Sequence, residues 1–239
     1  MSHNKRLLGL DLAKTAALFA MVTYHFTYDL DLFGFIPRGT SITGAFWWHA
    51  RLTAGSFIFL AGVSLWLAHG SGIRWPAFWR RFAKLAAAAG LVTIGTYFAM
   101  PELTIFYGIL QSIAISSVIA LAVLRLPALL TLALAVAVFV LPLIFRDAAF
   151  QGWLIWTGLA PQPPFTADFL PLFPWLAPML AGVAAGRIFS RLNLWPALAL
   201  PQTPILRALA WPGKHTLVIY LIHQPILIGC FNAYFWLQR

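Results

Sequence analysis

Charged side chains are scarce in this sequence. Asp, Glu, Lys and Arg make up 9% of its 239 residues, where a soluble globular domain carries roughly 25%. That excludes a soluble enzyme and a charge-rich disordered chain. Cysteine is nearly absent: Cys230 stands alone, so no internal disulfide forms and no small disulfide scaffold is in question. There are six acids against sixteen Lys and Arg. No internal repeat and no low-complexity stretch is visible, and a repeat is what many transporters carry. What is present is apolar: 61% of residues are hydrophobic and the mean hydropathy is +0.83. The apolar runs are continuous, unlike the alternating segments of about ten residues in a membrane barrel.

This composition reads as all-α: a polytopic integral membrane helical bundle. One span needs roughly 20 residues, so about seven transmembrane helices fit, near 7–28, 44–68, 82–100, 105–124, 127–144, 169–190 and 214–236. Breakers separate them, among them Pro37-Arg38-Gly39, Pro101, Pro127 and the run from Pro161 to Pro164. The stretch 148–160 is apolar but too short to span. It reads as an interfacial or re-entrant segment anchored by Trp153 and Trp156. Short loops leave no room for a second soluble domain, so residues 1–239 read as one transmembrane domain. Asp11 and Lys14 interrupt the first apolar run, which argues against a cleaved signal peptide.

The net charge of +10 does not imply nucleic acid, because the charges sort by membrane side. With the N-terminus in the cytoplasm, eleven basic residues fall on inner loops: Lys5, Arg6, Arg74, Arg80, Arg81, Lys84, Arg125, Arg187, Arg191, Arg207 and Lys214. Four fall outside: Arg38, Arg51, Arg146 and Arg239. That is a positive-inside bias, and an odd helix count puts the C-terminus outside. Five of the six acids lie at outer ends or loops. Loops tolerate acids, and an outward-facing polar site would also collect them.

Asp11 and Lys14 are three apart on the first helix and can pair. Such a pair either locks the helix against a neighbour or serves a substrate. His25 and Asp29 are four apart near the outer end. A carboxylate one turn away can fix an imidazole tautomer and stabilise its charged form, as in a base or nucleophile arrangement. A polar cap at the membrane interface, with Tyr24 and Tyr28, explains the same residues. His49 and Arg51 lie on the same side, after the aromatic pair Trp47 and Trp48. Arg51 suits a snorkelling anchor, a partner for Asp29, or a stabiliser of an anionic intermediate. Gln111 sits in an apolar run and must find a partner. Asp168 stands just before a helix with Pro171, Pro174 and Pro178, whose freed carbonyls are tolerated along a cavity. Gly182 and Gly186 have the spacing of close helix packing. His223 lies roughly 13 Å beyond Lys214 at 1.5 Å per residue, followed by Gln224 and Pro225. It is either a functional group or a neutral histidine bonded to another helix. The six His are scattered without ligand spacing, so no metal is expected.

Read together, Arg6, Asp11, Lys14 and His25 form R-x4-D-x2-K-x10-H, which resembles the first helix of the transmembrane acyltransferase superfamily. The closing GKHTLVIYLIHQP, with Tyr220 and His223, is similar to its last helix. The pieces YHFTYDL, FIFLAGVSLWLA, FYGILQSIA and DFLPLFPWLAPMLAG resemble the branch named after heparan-alpha-glucosaminide N-acetyltransferase, in its short bacterial form. The chain lacks the luminal domain and several helices of the animal enzyme. Lys14 stands where the superfamily usually has Arg, and holds phosphate as a point charge.

The resemblance implies a membrane-embedded acyltransferase. It would carry an acetyl group from cytosolic acetyl-CoA to an amino sugar or related glycan acceptor at the outer face, N- or O-linked. His25 would be the base or a transient acetyl carrier, with Asp29, His49 and Arg51 beside it. Gln111, Asp168, Tyr220 and His223 would meet the acceptor. Asp11, Lys14, Arg80, Arg81 and Lys84 would face the donor. The positive-inside bias and anionic lipid explain the basic loops equally well. Expected neighbours are membrane lipids of a bacterial plasma membrane, with a homodimer left open. A proton-coupled small-molecule transporter, using Asp11, Lys14, His25 and His223 as a relay, is the alternative. A scaffold whose polar residues only lock helices is a third reading.

Overall fold

The computed structural model describes residues 7–238. Lys5, Arg6 and Arg239 lie outside the described residues. Seven long helices carry the fold: α1 (Leu8–Leu32), α2 (Gly44–His69), α3 (Trp75–Ala99), α4 (Ile109–Val123), α5 (Ala128–Ile144), α6 (Leu172–Arg191) and α9 (Thr216–Leu237). Two short helices, α7 (Pro204–Leu209) and α8 (Trp211–Lys214), precede the last. Among the described residues there is no strand, only an isolated bridge between Tyr107 and Phe169. The all-α helical bundle is as the composition predicts. By length and composition α2, α3, α6 and α9 can cross a membrane, while α4 and α5 are apolar but shorter, at 15 and 17 residues.

Two helix boundaries that bear on the candidate residues depart from the sequence reading. Helix α1 runs one turn further, so Asp29 and Asp31 sit inside it. Asp31 accepts from the Gly39 N–H at 3.0 Å and from the Ser41 N–H and hydroxyl at 2.9 and 2.7 Å, which ties down the following link. Helix α3 starts at Trp75 and not near 82, so Arg80, Arg81 and Lys84 are helical residues, not loop residues. Pro76 falls in the first turn, where its missing N–H costs nothing. The segment 148–160 forms short 3-10 turns, Ala148–Phe150 and Gly152–Thr157, with Trp153 exposed and Trp156 against Tyr107.

The chain forms two compact units. The first holds residues up to Phe57 together with Leu194–Arg239; the second is Ile58–Asn193. In the first unit α1 packs against α8 and α9. Gly213 on α8 lies so close to the Asp11 carbonyl that a Cβ would collide with it. The Gly213 N–H donates to Thr15 Oγ1 at 2.9 Å, and that hydroxyl donates to the Asp11 carbonyl at 3.1 Å. In the second unit α6 packs on α4 and α5, and α3 on α4. Gly182 meets the Phe59 backbone and Gly186 the Trp66 ring, the close packing that their spacing predicts.

The last carbonyls of a helix have no partner within it and need one from outside. Arginines fill that role three times in the second unit. Arg74 donates to the Ala68 carbonyl at 3.0 Å at the end of α2. Arg146 donates to Pro142 at 3.0 Å at the end of α5. Arg187 donates to Leu124 and Arg125 at 3.2 and 3.3 Å at the end of α4, with its guanidinium 5.0 Å from the Trp66 ring centre.

Candidate functional site

The first unit brings α1 and α9 together at a cluster of polar groups inside apolar helices. His25 and Asp29 come from α1; Tyr220, His223 and Gln224 come from α9. The His25 and His223 rings lie 4.8 Å apart between centres. Tyr24 and Tyr28 flank His25 at 5.4 and 6.5 Å, and Tyr220 flanks His223 at 5.6 Å. His49, at the start of α2, lies 6.0 Å from Tyr24 between ring centres.

Asp29 does not pair with His25, as the four-residue spacing suggests. Its Oδ1 accepts from Gln224 Nε2 at 2.7 Å. The residue is fully buried. A packed neighbour on α9 supplies that hydrogen, so the cross-helix contact takes precedence over the local one. Four buried atoms at the cluster have no hydrogen-bond partner among the described residues: His25 Nδ1, Asp29 Oδ2, His223 Nε2 and Gln224 Oε1. Each such buried group costs about 1–3 kcal/mol unless something meets it.

The inventory is lopsided. An ionised Asp29 Oδ2 only accepts. Gln224 Nε2 donates to Asp29, and its Oε1, a carbonyl oxygen, only accepts. His223 Nδ1 lies 2.6 Å from the Tyr220 carbonyl. A carbonyl cannot donate, so the ring hydrogen sits on Nδ1, and in the neutral ring Nε2 is a bare lone pair. The cluster therefore offers three acceptors and calls for a ligand rich in N–H or O–H. Pro225 follows within the helix and has no N–H to give the Leu221 carbonyl.

Arg51 does not reach toward Asp29. It is exposed, with its guanidinium carbon 3.4 Å from the centre of the Trp47 ring, a cation–π contact at the start of α2. Asp11 is buried on α1 and Lys14 half-buried.

The remaining sequence candidates belong to the second unit. Gln111 uses both ends of its amide: Oε1 accepts from the Gly108 N–H at 3.1 Å, and Nε2 donates to Thr93 Oγ1 at 3.1 Å. It caps α4 and fastens it to α3. Asp168 Oδ2 accepts from the Ile109 N–H at 3.1 Å, also at the start of α4, and burial pushes its carboxyl up to about 6. Tyr107, which the sequence did not single out, is buried, and its hydroxyl has no partner among the described residues. With Gln111, Thr93 and Phe82 it lines a groove of about 410 Å³ beside α3 and α4. Arg80 and Lys84 are exposed on one face of α3, whereas Arg81 turns inward beside Leu65, Phe78 and Ser117. Among the described residues no three His, Cys, Asp or Glu side chains gather as metal ligands would.

Gln224 and Tyr107 are the groups sequence reasoning passed over. Gln224 carried the same signal as Gln111, an amide in an apolar run, but stood in the shadow of His223.

No curated protein and no solved structure matches the chain. A family description does, and it agrees with the helical architecture and with the order of motifs along the chain. Residues 6–225 match the family described as heparan-alpha-glucosaminide N-acetyltransferase, catalytic, and the chain belongs to that family.

Proposed function

We propose that this protein transfers an acetyl group from acetyl-CoA to an amino sugar or related acceptor, with His25 at the centre of the reaction. Family membership carries acetyltransferase activity in general, and the apolar helices make it an integral membrane protein. The observation that supports the finer reading is the donor-poor cluster between α1 and α9. Asp29 Oδ2, Gln224 Oε1 and His223 Nε2 stand ready to accept hydrogens, as an amine or hydroxyl nucleophile would require.

In the step that fits these groups, the acceptor nitrogen or oxygen attacks the thioester carbonyl. The new C–N or C–O bond forms and the C–S bond breaks. His25 takes the proton released by the nucleophile and returns it to the departing sulfur, which leaves as the thiol. Asp29, held by Gln224, orients the acceptor, and Tyr220 and His223 border it. Arg51 and His49, at the start of α2, are the candidates for charge stabilisation on the acceptor side. Gln111 and Asp168 act by holding the start of α4. On the donor side Arg80 and Lys84 suit phosphate as exposed cations, with Arg81, Asp11 and Lys14 as the further candidates. In the orientation the basic residues favour, the N-terminus faces the cytoplasm and the C-terminus the outside of a bacterial plasma membrane.

The test is transfer of radiolabelled acetyl from acetyl-CoA to glucosamine by the purified protein in nanodiscs. His25→Ala is expected to lose about 10²–10⁴-fold, the usual contribution of a general base, with unchanged thermal unfolding. Full activity in that variant refutes the assignment. Flux of a solute into proteoliposomes without CoA, and no acetyl transfer, would favour the transporter reading instead.

A further inference from the structure

We infer that His223 is a second proton acceptor, separate from His25, and that it strips the first proton from an acceptor that arrives as an ammonium ion. The inference rests on the acetyltransferase reading. It starts from the fixed tautomer. The Tyr220 carbonyl at 2.6 Å holds the His223 hydrogen on Nδ1, which leaves a bare, buried Nε2 without a partner among the described residues. Beside it, at 4.8 Å between ring centres, stands a second imidazole, that of His25, with an unpartnered nitrogen of its own. One base would serve a hydroxyl acceptor, which loses a single proton. Two bases side by side match a different proton balance.

An amine of pKa roughly 8 is mostly cationic at neutral pH. Its conversion is R–NH3⁺ plus a thioester giving R–NH–CO–CH3, a thiol and H⁺. Two hydrogens leave the nitrogen beyond the one it keeps. The first must go before attack, because a nitrogen without a lone pair is no nucleophile. The second goes as the C–S bond breaks and reaches the sulfur. His223 Nε2 takes the first and passes it on to solvent; His25 takes the second and hands it to the thiolate. The three hydrogens of the incoming –NH3⁺ have three acceptors to meet: His223 Nε2, Asp29 Oδ2 and Gln224 Oε1. The titratable groups around His223 are His25 and, through Gln224, Asp29 on α1, with Tyr24 and Tyr28 beside His25, and Tyr220 on α9.

The experiment compares wild type, His223→Gln and His25→Gln for acetyl transfer to glucosamine, with kcat and KM measured from pH 6 to pH 10. Glutamine keeps an amide N–H for the Tyr220 carbonyl but has no basic nitrogen, and thermal unfolding checks that each variant folds. In His223→Gln, kcat is expected to fall about tenfold at pH 7, to the share of an amine of pKa roughly 8 that is already neutral there, with KM changed little. It is then expected to climb by about that same factor between pH 7 and pH 9, as the amine itself becomes neutral. At pH 7 an aminooxy acceptor, already neutral there, is expected to restore transfer by the same variant. His25→Gln is expected to show neither recovery. A His223→Gln profile parallel to wild type, or no gain with the neutral acceptor, overturns the inference while the acetyltransferase reading stands. A wild-type protein that acetylates no amine at any pH overturns the reading on which it rests.

Discussion

The hydrogen bond from Gln224 Nε2 to Asp29 Oδ1 joins α9 to α1 across the cluster, and it can be weighed. Replacing Gln224 by Leu keeps the volume and removes the only donor that Asp29 has among the described residues. Asp29 is fully buried, so water does not readily take over. A hydrogen bond to a charged group contributes about 1.5–3 kcal/mol. For a chain of this size each kcal/mol moves Tm by about 2–4 °C. Gln224→Leu should therefore lower Tm by about 3–12 °C. The companion variant is Asp29→Leu/Gln224→Leu, in which both polar partners go. Replacing both by apolar groups of similar shape can be nearly neutral, so the double variant should regain much of the loss. The assay is thermal unfolding in detergent followed by tryptophan fluorescence at one scan rate. Gln224→Leu within about 1 °C of wild type, or a double variant that falls by the sum of the two singles, would refute the argument that this bond is worth its burial.

Three more predictions follow from the packing and the charges. Gly213→Ala should destabilise the protein by roughly 1–3 kcal/mol of overpacking, seen as a lower Tm in the same assay, because its Cβ would strike the Asp11 carbonyl; an unchanged Tm would mean that α8 can shift freely. Burial raises the Asp168 carboxyl from 3.8 to about 6, so the folded state holds that proton more tightly than the unfolded chain does. Stability from this group is present below about pH 4 and lost as pH rises through 6; Asp168→Asn should flatten that fall, and identical pH profiles of Tm would contradict it. Arg187→Gln should destabilise the protein by leaving two carbonyls without their donor, whereas Arg80→Gln with Lys84→Gln should leave Tm unchanged and weaken acetyl-CoA binding, read by ligand-induced thermal shift; the reverse pattern would undo the distinction.

How much of this was legible in the sequence depends on which forces decide each part. The long helices were, because continuous apolar runs of about 20 residues have few other fates. The start of α3 was not, since Arg80, Arg81 and Lys84 read as loop, yet all three are helical, with the charges of Arg80 and Lys84 reaching out and Arg81 turned inward. Helices α7 and α8 were hidden by Pro204 and Pro212, which punctuate a sequence but are welcome in a first helical turn. In the site, His25 and His223 announced themselves as ionisable groups in apolar runs. Their neighbourhood did not, because it depends on α1 and α9 packing in one register. The i, i+4 rule proposed His25 for Asp29, and the structure substitutes Gln224, a residue 195 positions away.

The three arginines at helix ends change what the protein offers to its surroundings. A cation whose N–H groups point into the carbonyls of its own fold is directionally committed, and a phosphate approaching from outside would have to compete with the ends of α2, α4 and α5. The basic surface open to anions is thus narrower than its residue count suggests, and falls to exposed side chains such as Arg80, Lys84, Arg125, Arg191 and Arg207 that have no such duty.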